Sequence, residues 1–480
     1  MPQLPRIACA ALSTLLIILV SCGGPSTGSP NSPTGNPTPQ PPEIINGYVV
    51  DGYMTAVSLA GQLNGSNSLE LKAQMEAQYG GKVLVWDEDA EDPYCVVMVN
   101  RATTPSVGSL SGEGEPRTVP NLRQFANAGQ RASMNGASFW QNGASFWQNG
   151  ASFWQNGANF WQNGGYQGML ENTQNWKNID LEGAFRLAPR LGAGVKVAVV
   201  DTGLDFAHFA FQGLGVLAPA SEMWDFVGDD PFPQEEGEMG KGGYGHGSSV
   251  AGVIRQIAPR ASILPMRVLD KNGEGNTLNI MRAIYRAIRF EADIINLSLG
   301  SDQPSPELER AIRAATRRGI FVIISVGNDG AEKVLYPAFD SCEDCAPQNF
   351  DPLKAMRITV GSVDGQKLLS NFSNRNSPQN VLELRAEIGA PGEMVFGPAP
   401  GNRKAAWSGT SQAAPVVAGV LALALGEGKQ ETLEGRLQLI RRLKQSASCI
   451  QDSPTAVLGA GLLDAKGFLD PNHSGLCNAQ

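Results

Sequence analysis

The chain reads as an α/β protein on a doubly wound, mostly parallel sheet with helices on both faces, preceded by a small α+β unit. Three observations carry this reading. Near-continuous apolar runs at 195–200, 294–299 and 320–326 suit parallel strands buried on both faces. Helical patterns at 278–290 (LNIMRAIYRAIRF) and 306–318 alternate with them, as crossover connections require. Reactive residues sit just past the strands: Asp201 follows the first run and Asn328 comes two residues after Val326. Functional groups of open α/β sheets gather at the carboxyl ends of strands.

Composition narrows the function. At 480 residues the chain can bury a large core and divide into two or three units. It is 42% hydrophobic and 17% charged, which describes a globular protein with a modestly charged surface. A net charge of −9 without a clustered Lys/Arg run argues against nucleic-acid binding.

Three short segments each place one reactive side chain among glycines: VAVVDTG (197–203), GHGSSVAGVI (245–254) and SGTSQAAPVVAG (408–419). They supply a carboxylate (Asp201), an imidazole (His246) and a hydroxyl (Ser411). Serine is a weak nucleophile until a base takes its proton, and the base works best when a carboxylate holds its tautomer. Ser411 opens an apolar helical run with Gly409 before it and Pro415 in the first turn. The positive end of a helix favours charge developing on an oxyanion.

The order Asp…His…Ser, with the run KVAVVDTGLDFAH (196–208), resembles the subtilisin-like serine proteases, from about residue 176 to about 470. The resemblance implies a subtilisin-like fold and a serine endopeptidase. Ser411 is then the nucleophile, His246 the general base, Asp201 its orienting carboxylate, and the Asn328 amide in SVGNDG the second oxyanion donor beside the Ser411 N–H. Each has a plainer reading, Asp201 as an end-of-strand residue and Asn328 as a turn former. Where the family has HGTHVAG this chain has Ser248 and Ser249, a change that bears on local packing and leaves the base in place. The other histidines are His208, near where the family often has one, and His473 in a polar tail.

Ser298, Leu299 and Gly300 match the segment that pairs with extended substrate backbone; Ser325, Val326 and Gly327 resemble a wall of the S1 pocket. Neither segment carries charge, which points to an apolar or broad preference. YPA (336–338) is also family-like, and extra residues between it and 358–365 lie where they would reshape the pocket rim. The chemistry needs no cofactor. WDFVGDD (224–230) resembles a segment that binds structural calcium in thermostable relatives; Asp225, Asp229 and Asp230 would be its ligands, or simply a solvated acidic loop.

The N-terminus reads as a targeting segment. Arg6 precedes an apolar run at 7–20, too short to span a bilayer and suited to a signal peptide at 1–21. Leu19-Val20-Ser21-Cys22 resembles a bacterial lipobox, with Cys22 lipidated; an ordinary secretory signal is the alternative. Residues 22–43, rich in Pro, Gly, Ser and Thr, then form a tether. The expected address is exported, as an envelope lipoprotein on the outer face or extracellular, with the lipid as its only membrane contact. Cysteines agree with export. Cys9 leaves with the signal, and Cys342 with Cys345 and Cys449 with Cys477 are local disulfide candidates. A redox pair or half a zinc site is the other reading of 342–345, without a second CxxC or nearby histidine to support metal. Cys95 is left over.

Residues 44–100 read as strand (45–50), helix (68–79, SLELKAQMEAQY, stopped by Gly80-Gly81) and two strands (82–86, 94–99). The unit is similar to the family's inhibitory prodomain, which implies that it chaperones folding and plugs the site; an unrelated accessory domain is the alternative. Residues 101–170 form a linker before the catalytic domain at 171–475. Within it, at 134–165, the sevenfold period MNGASFW/QNGASFW/QNGASFW/QNGANFW is no coiled coil, because Asn-Gly at that density opposes a helix. A tryptophan ladder and a sticky linker fit it equally.

The competing function is a catalytically silent binding module on the same fold, whose signature would be a lost site residue, and none is lost. A lipase or esterase would need G-x-S-x-G around its serine, whereas Ser411 lies in S-G-T-S-Q. Protein or peptide substrates and the chain's own prodomain are the expected partners.

Overall fold

Strand alternation and one capped helix build the small N-terminal sheet. It contains β1 (Ile44–Ile45), β2 (Tyr48–Ser58), α1 (Ser68–Tyr79), β3 (Gly81–Asp87), β4 (Tyr94–Val99) and β5 (Arg117–Ala126). The pairs are antiparallel, in the order β5-β2-β4-β3 with β1 on β2. Asn67 caps α1 through the Leu69 N–H at 3.0 Å, and Gly80 ends it in the left-handed conformation. The helix buries only Leu71 and Met75, one turn apart, and Leu69 stays 77% exposed, so the apolar face is narrower than the spacing suggests.

The computed structural model describes residues 44–45, 48–60, 62–63, 67–88, 93–99, 117–126, 169–213, 215–340, 351–377, 386–451 and 457–473. The chain divides into two units, 1–42 and 43–480. The signal segment, Cys22 and its tether, the 134–165 repeat, Cys342, Cys345 and Cys477 all lie outside the described residues.

The small sheet has two apolar faces. Tyr53, Val57, Cys95 and Val97 pack with Leu71 and Met75 of α1. Met54, Val85, Tyr94 and Val96 point the other way and join the core of the larger α/β part. This is the period-two alternation of a strand put to use on both sides. β5 was expected to be linker; it pairs with β2 instead and runs on toward the larger sheet.

That larger part contains β6 (Lys196–Asp201), β7 (Trp224–Asp225), α2 (His246–Ile257), β8 (Ser262–Arg267), β9 (Glu274–Asn276) and α3 (Thr277–Arg289). It continues through β10 (Ile294–Leu297), β11 (Leu299–Gly300), α4 (Pro306–Arg317), β12 (Phe321–Ser325), β13 (Arg357–Val363) and β14 (Ile388–Pro391). A hairpin of β15 (Val395–Ala399) and β16 (Arg403–Trp407) leads into α5 (Thr410–Glu427) and then α6 (Leu433–Gln445). Seven strands form one parallel sheet in the order β14-β13-β12-β10-β6-β8-β7. This is the doubly wound α/β sheet the apolar runs predict.

One run divides. Residues 294–299 read as a single strand, but β10 stays in the parallel sheet while β11, past Ser298, turns to pair antiparallel with β5. Hydropathy does not see the break because Leu297 and Leu299 are both fully buried, on opposite sides of it.

Helices α2 and α5 pack against each other inside the core. α5 is apolar and long enough to cross a membrane, yet it is 94% buried, which marks it as a core helix. The close approach depends on Gly419, where an added Cβ would lie 2.5 Å from the Cβ of Ile257. Gly419→Ala should therefore destabilise the fold by about 1–3 kcal/mol. Urea denaturation in a Ser411→Ala background checks this. Adding Ile257→Ala should recover part of the G419A penalty.

Candidate active site

Asp201 is the last residue of β6, and His246 the first of α2; both are buried. The Asp201 Oδ1 accepts from the Thr202 N–H and from His246 Nδ1, each at 2.7 Å. A carboxylate accepts only, so Nδ1 carries the proton and Nε2 holds the free lone pair. Nε2 is buried without a hydrogen-bond partner among the described residues. Burial opposes charging of His246, but the charge of Asp201, its hydrogen bond and the charge of Glu235 outweigh this and hold the imidazole above its ordinary pKa. The Trp407 ring meets His246 edge-on at 5.7 Å.

Gly247 lets the helix start come this close. A Cβ there would lie 2.3 Å from the Gly203 carbonyl oxygen, and the Gly247 N–H donates to Thr202 Oγ1 at 2.9 Å. The two family departures, Ser248 and Ser249, are both buried and bonded: Ser248 to Glu235 and Ser249 to Gln412. The Ser249–Gln412 contact ties the first turn of α2 to the first turn of α5, beside Ser411.

Ser411 is the second residue of α5. Its Oγ donates to the Ser298 carbonyl at 3.3 Å, and Ser298 Oγ donates back to the Ser411 carbonyl at 2.9 Å. Asn328 is buried beside it. Its Oδ1 accepts from the Thr410 N–H at 2.8 Å and from Thr410 Oγ1 at 3.0 Å. The carbonyl end is thus pinned to α5, which leaves the amide NH2 as the end turned away from Thr410. Ser325, Val326 and Gly327 lead from β12 into Asn328, and all are buried. The structure therefore brings together Asp201 with His246, and Ser298 and Asn328 with the start of α5.

Leu299 and Gly300 pair with Ala126 and Phe125, and Glu274 to Asn276 of β9 pair with Phe125 to Arg123. β5 thus lies as a middle strand between β9 and β11. Its C-terminal residue, Ala126, is the one nearest Ser298 along the pairing. The body of the small sheet rests on α3 and α4. Tyr94 and Tyr285 hydroxyls lie 2.6 Å apart, Tyr285 donates to Asp87 at 3.0 Å, Arg317 stands 3.8 Å from Asp87, and Arg310 covers the Tyr94 ring. A cavity of about 800 Å³ lies along this junction, bordered by Trp86, Trp224, Arg282 and Arg286; neither Asp201, His246 nor Ser411 lines it.

The three aspartates expected to bind calcium have protein partners in the structure. Asp225 pairs with Arg267 at 2.7 Å and accepts from two backbone N–H groups; Asp229 faces Arg282; Asp230 accepts from the Phe232 N–H. Among the described residues no three carboxylate, thiol or imidazole side chains converge on a metal position. Guanidiniums of Arg267 and Arg282 already face Asp225 and Asp229. His208 is structural: fully buried, it caps the turn at Ala210 and bonds the Arg403 carbonyl. Cys449 is disulfide-bonded, and Cys95 is a buried free thiol whose pKa burial pushes up to about 11.

Two site residues escaped the sequence. Asn374 braces the Asn328 loop, accepting from the N–H groups of Asp329 and Ala331 and donating to the Val326 carbonyl. Glu235 lies buried between Thr202 and Ser248. Neither has a local signal, since Glu235 reads as one acid in an exposed-looking run, QEEGE.

A model of the subtilase family matches residues 192–461, more than half of the chain. A thermophilic serine proteinase of Bacillus sp. (strain AK1) is 32% identical over 273 residues, covering 55% of this chain and 59% of that protein. Subtilisin Savinase of Lederbergia lenta is 32% identical over 285 residues (57% of this chain, 90% of that protein), and thermitase of Thermoactinomyces vulgaris 31% over 286 residues (58% and 86%). The chain thus spans about three fifths of the length of the Bacillus proteinase. With an Asp–His pair at the end of a central strand and a serine opening a core helix, the chain belongs to the subtilase family.

Proposed function

We propose that the chain is the precursor of an exported serine endopeptidase that hydrolyses peptide bonds through an acyl-enzyme at Ser411. The observation that carries this is the buried Asp201–His246 hydrogen bond with Nε2 left unbonded, on a helix whose first turn is tied to that of α5 through Ser249 and Gln412. Nε2 takes the Ser411 proton as Oγ attacks the scissile carbonyl; Asp201 keeps the imidazole in the required tautomer and stabilises the imidazolium. The oxyanion is met by the Ser411 N–H and the Asn328 amide, with the helix terminus adding a favourable field. The imidazolium then gives its proton to the leaving amine, and water repeats the sequence on the acyl-enzyme. Substrate backbone would add as a strand between β9 and β11, where β5 now lies. A fluorophosphonate should label Ser411, and Ser411→Ala should abolish both labelling and casein hydrolysis. Full activity in that variant would overturn the assignment.

Residues 44–126 act in this reading as an inhibitory prodomain. The support is β5, which fills the edge that substrate needs, and a sheet whose second face packs on α3 and α4. The strand direction makes Ala126 the last described residue before the nucleophile, so self-processing should cut C-terminal to it and before Met169, at a bond a protease can reach. N-terminal sequencing of the mature enzyme checks this, and Ser411→Ala should accumulate the uncut precursor. A mature N-terminus upstream of Ala126, or normal maturation of S411A in a protease-deficient host, would contradict self-processing here.

The lipobox-like run supports an envelope address through Cys22. One acyl chain binds a membrane only marginally, and a thioether diacylglycerol supplies the second signal needed. Cys22→Ser should move the enzyme from the membrane fraction to the medium or leave its signal uncut. Mass spectrometry of the wild-type N-terminus decides: an unmodified residue on a fully soluble protein rejects the anchor.

A further inference from the structure

We infer that Glu235 is a positioning residue of the catalytic site, whose buried carboxylate locks the Asp201 turn to the start of the His246 helix and, as an anion, supports the imidazolium formed in catalysis. The inference rests on the proteolytic reading above. Glu235 is 4% exposed and accepts four hydrogen bonds. Oε1 takes the Thr202 hydroxyl at 2.5 Å and the Gly245 N–H at 2.9 Å. Oε2 takes the Ser248 N–H at 3.0 Å and the Ser248 hydroxyl at 2.7 Å. Thr202 is covalently next to Asp201, while Gly245 and Ser248 flank His246.

The arrangement answers a local deficit. Gly245, the cap residue of α2, has no side chain to satisfy the first-turn N–H groups, and Glu235 reaches in from another loop to do so. Its backbone is fixed as well, the Glu235 N–H donating to the Leu204 carbonyl at 3.0 Å. The carboxylate therefore bridges the two segments that the Asp201–His246 bond joins, forming a further path between them beside the Gly247 N–H to Thr202 Oγ1 bond. Breaking that path loosens the base relative to its carboxylate without touching the substrate edge at β11.

Charge gives the bridge a second effect. The titratable groups that interact with Glu235 are Asp201 on β6, Tyr244 before α2, and His246; Asp205 on the following loop acts on the same Tyr244. Burial pushes the Glu235 carboxyl up to about 7, against the opposing pull of its bonds from Thr202, Ser248 and Gly245, with the Asp201 charge adding to the rise. As pH falls, Glu235 and His246 both take protons, and each event removes activity: one discharges the bridge, the other occupies the base. The acid limb then belongs to the coupled pair and is steeper than a single ionisation allows.

The test uses the processed enzyme, with kcat and KM normalised by active-site titration. Glu235→Gln should lower kcat about tenfold or more with KM within about twofold, and reduce the acid limb of log kcat to unit slope. Glu235→Asp should recover part of kcat. Ser248→Ala leaves the carboxylate but removes one bond to its anion, so the limb should move to higher pH, the opposite direction from E235Q. The His246 titration followed by NMR needs no turnover and separates this inference from the proteolytic reading: E235Q should lower the imidazole pKa. An unmoved His246 titration, or an acid limb unchanged in both E235Q and S248A, overturns the proposal. If E235Q does not fold, the S248A limb still decides.

Discussion

Close backbone approach around His246 is the constraint on which the rest of the site depends. The imidazole is useful only if one nitrogen meets a carboxylate at the end of β6 and the other faces a serine at the start of α5. Those three elements are far apart in sequence, so the site exists only where their backbones can nearly touch. Gly247 admits the Gly203 carbonyl at the start of α2, and Gly419 admits Ile257 at its far end. A methyl group at Gly247 would push the helix start away from the Asp201 turn, and one at Gly419 would spread α2 from α5. Core packing and catalytic geometry are here the same requirement, because interiors this dense transmit displacement instead of absorbing it.

Around that contact the fold accumulates buried polar groups, each of which costs stability unless bonded. The structure meets the cost by sharing donors and acceptors between the segments that must stay in register. Asn328 is pinned by Thr410, its loop is braced by Asn374, and Ser298 and Ser411 exchange bonds across two elements. Such networks are rigid when every member is satisfied. Asp201 Oδ2 and His246 Nε2 are among the buried atoms of the described residues that stand outside the sharing. In the proposed mechanism that free nitrogen is the one that takes the serine proton.

The N-terminal sheet follows the same logic at larger scale. One face closes its own small core over α1, which makes it a unit; the other enters the main core, which makes it a tenant of the α/β part. β5 extends that relation to β9 and β11 by backbone pairing, so side-chain identity matters less than the presence of an open strand edge.

Much of this was legible in the sequence, and the division has a physical cause. Fold class came from local patterns: apolar runs give parallel strands, 3.6-residue spacing gives α3 and α4, and Gly80 ends α1. The candidate residues Asp201, His246, Ser411 and Asn328 stood out because each sits near an element boundary close to a glycine, where a reactive group needs backbone room. Tertiary structure alone decided the rest. It turned 294–299 into two strands in two sheets, drew β5 out of a supposed linker, paired Asp225 with Arg267, and buried Glu235 under the site. Those outcomes hinge on which distant group arrives at a given edge, cap or carboxylate, and a linear pattern carries no record of that partner.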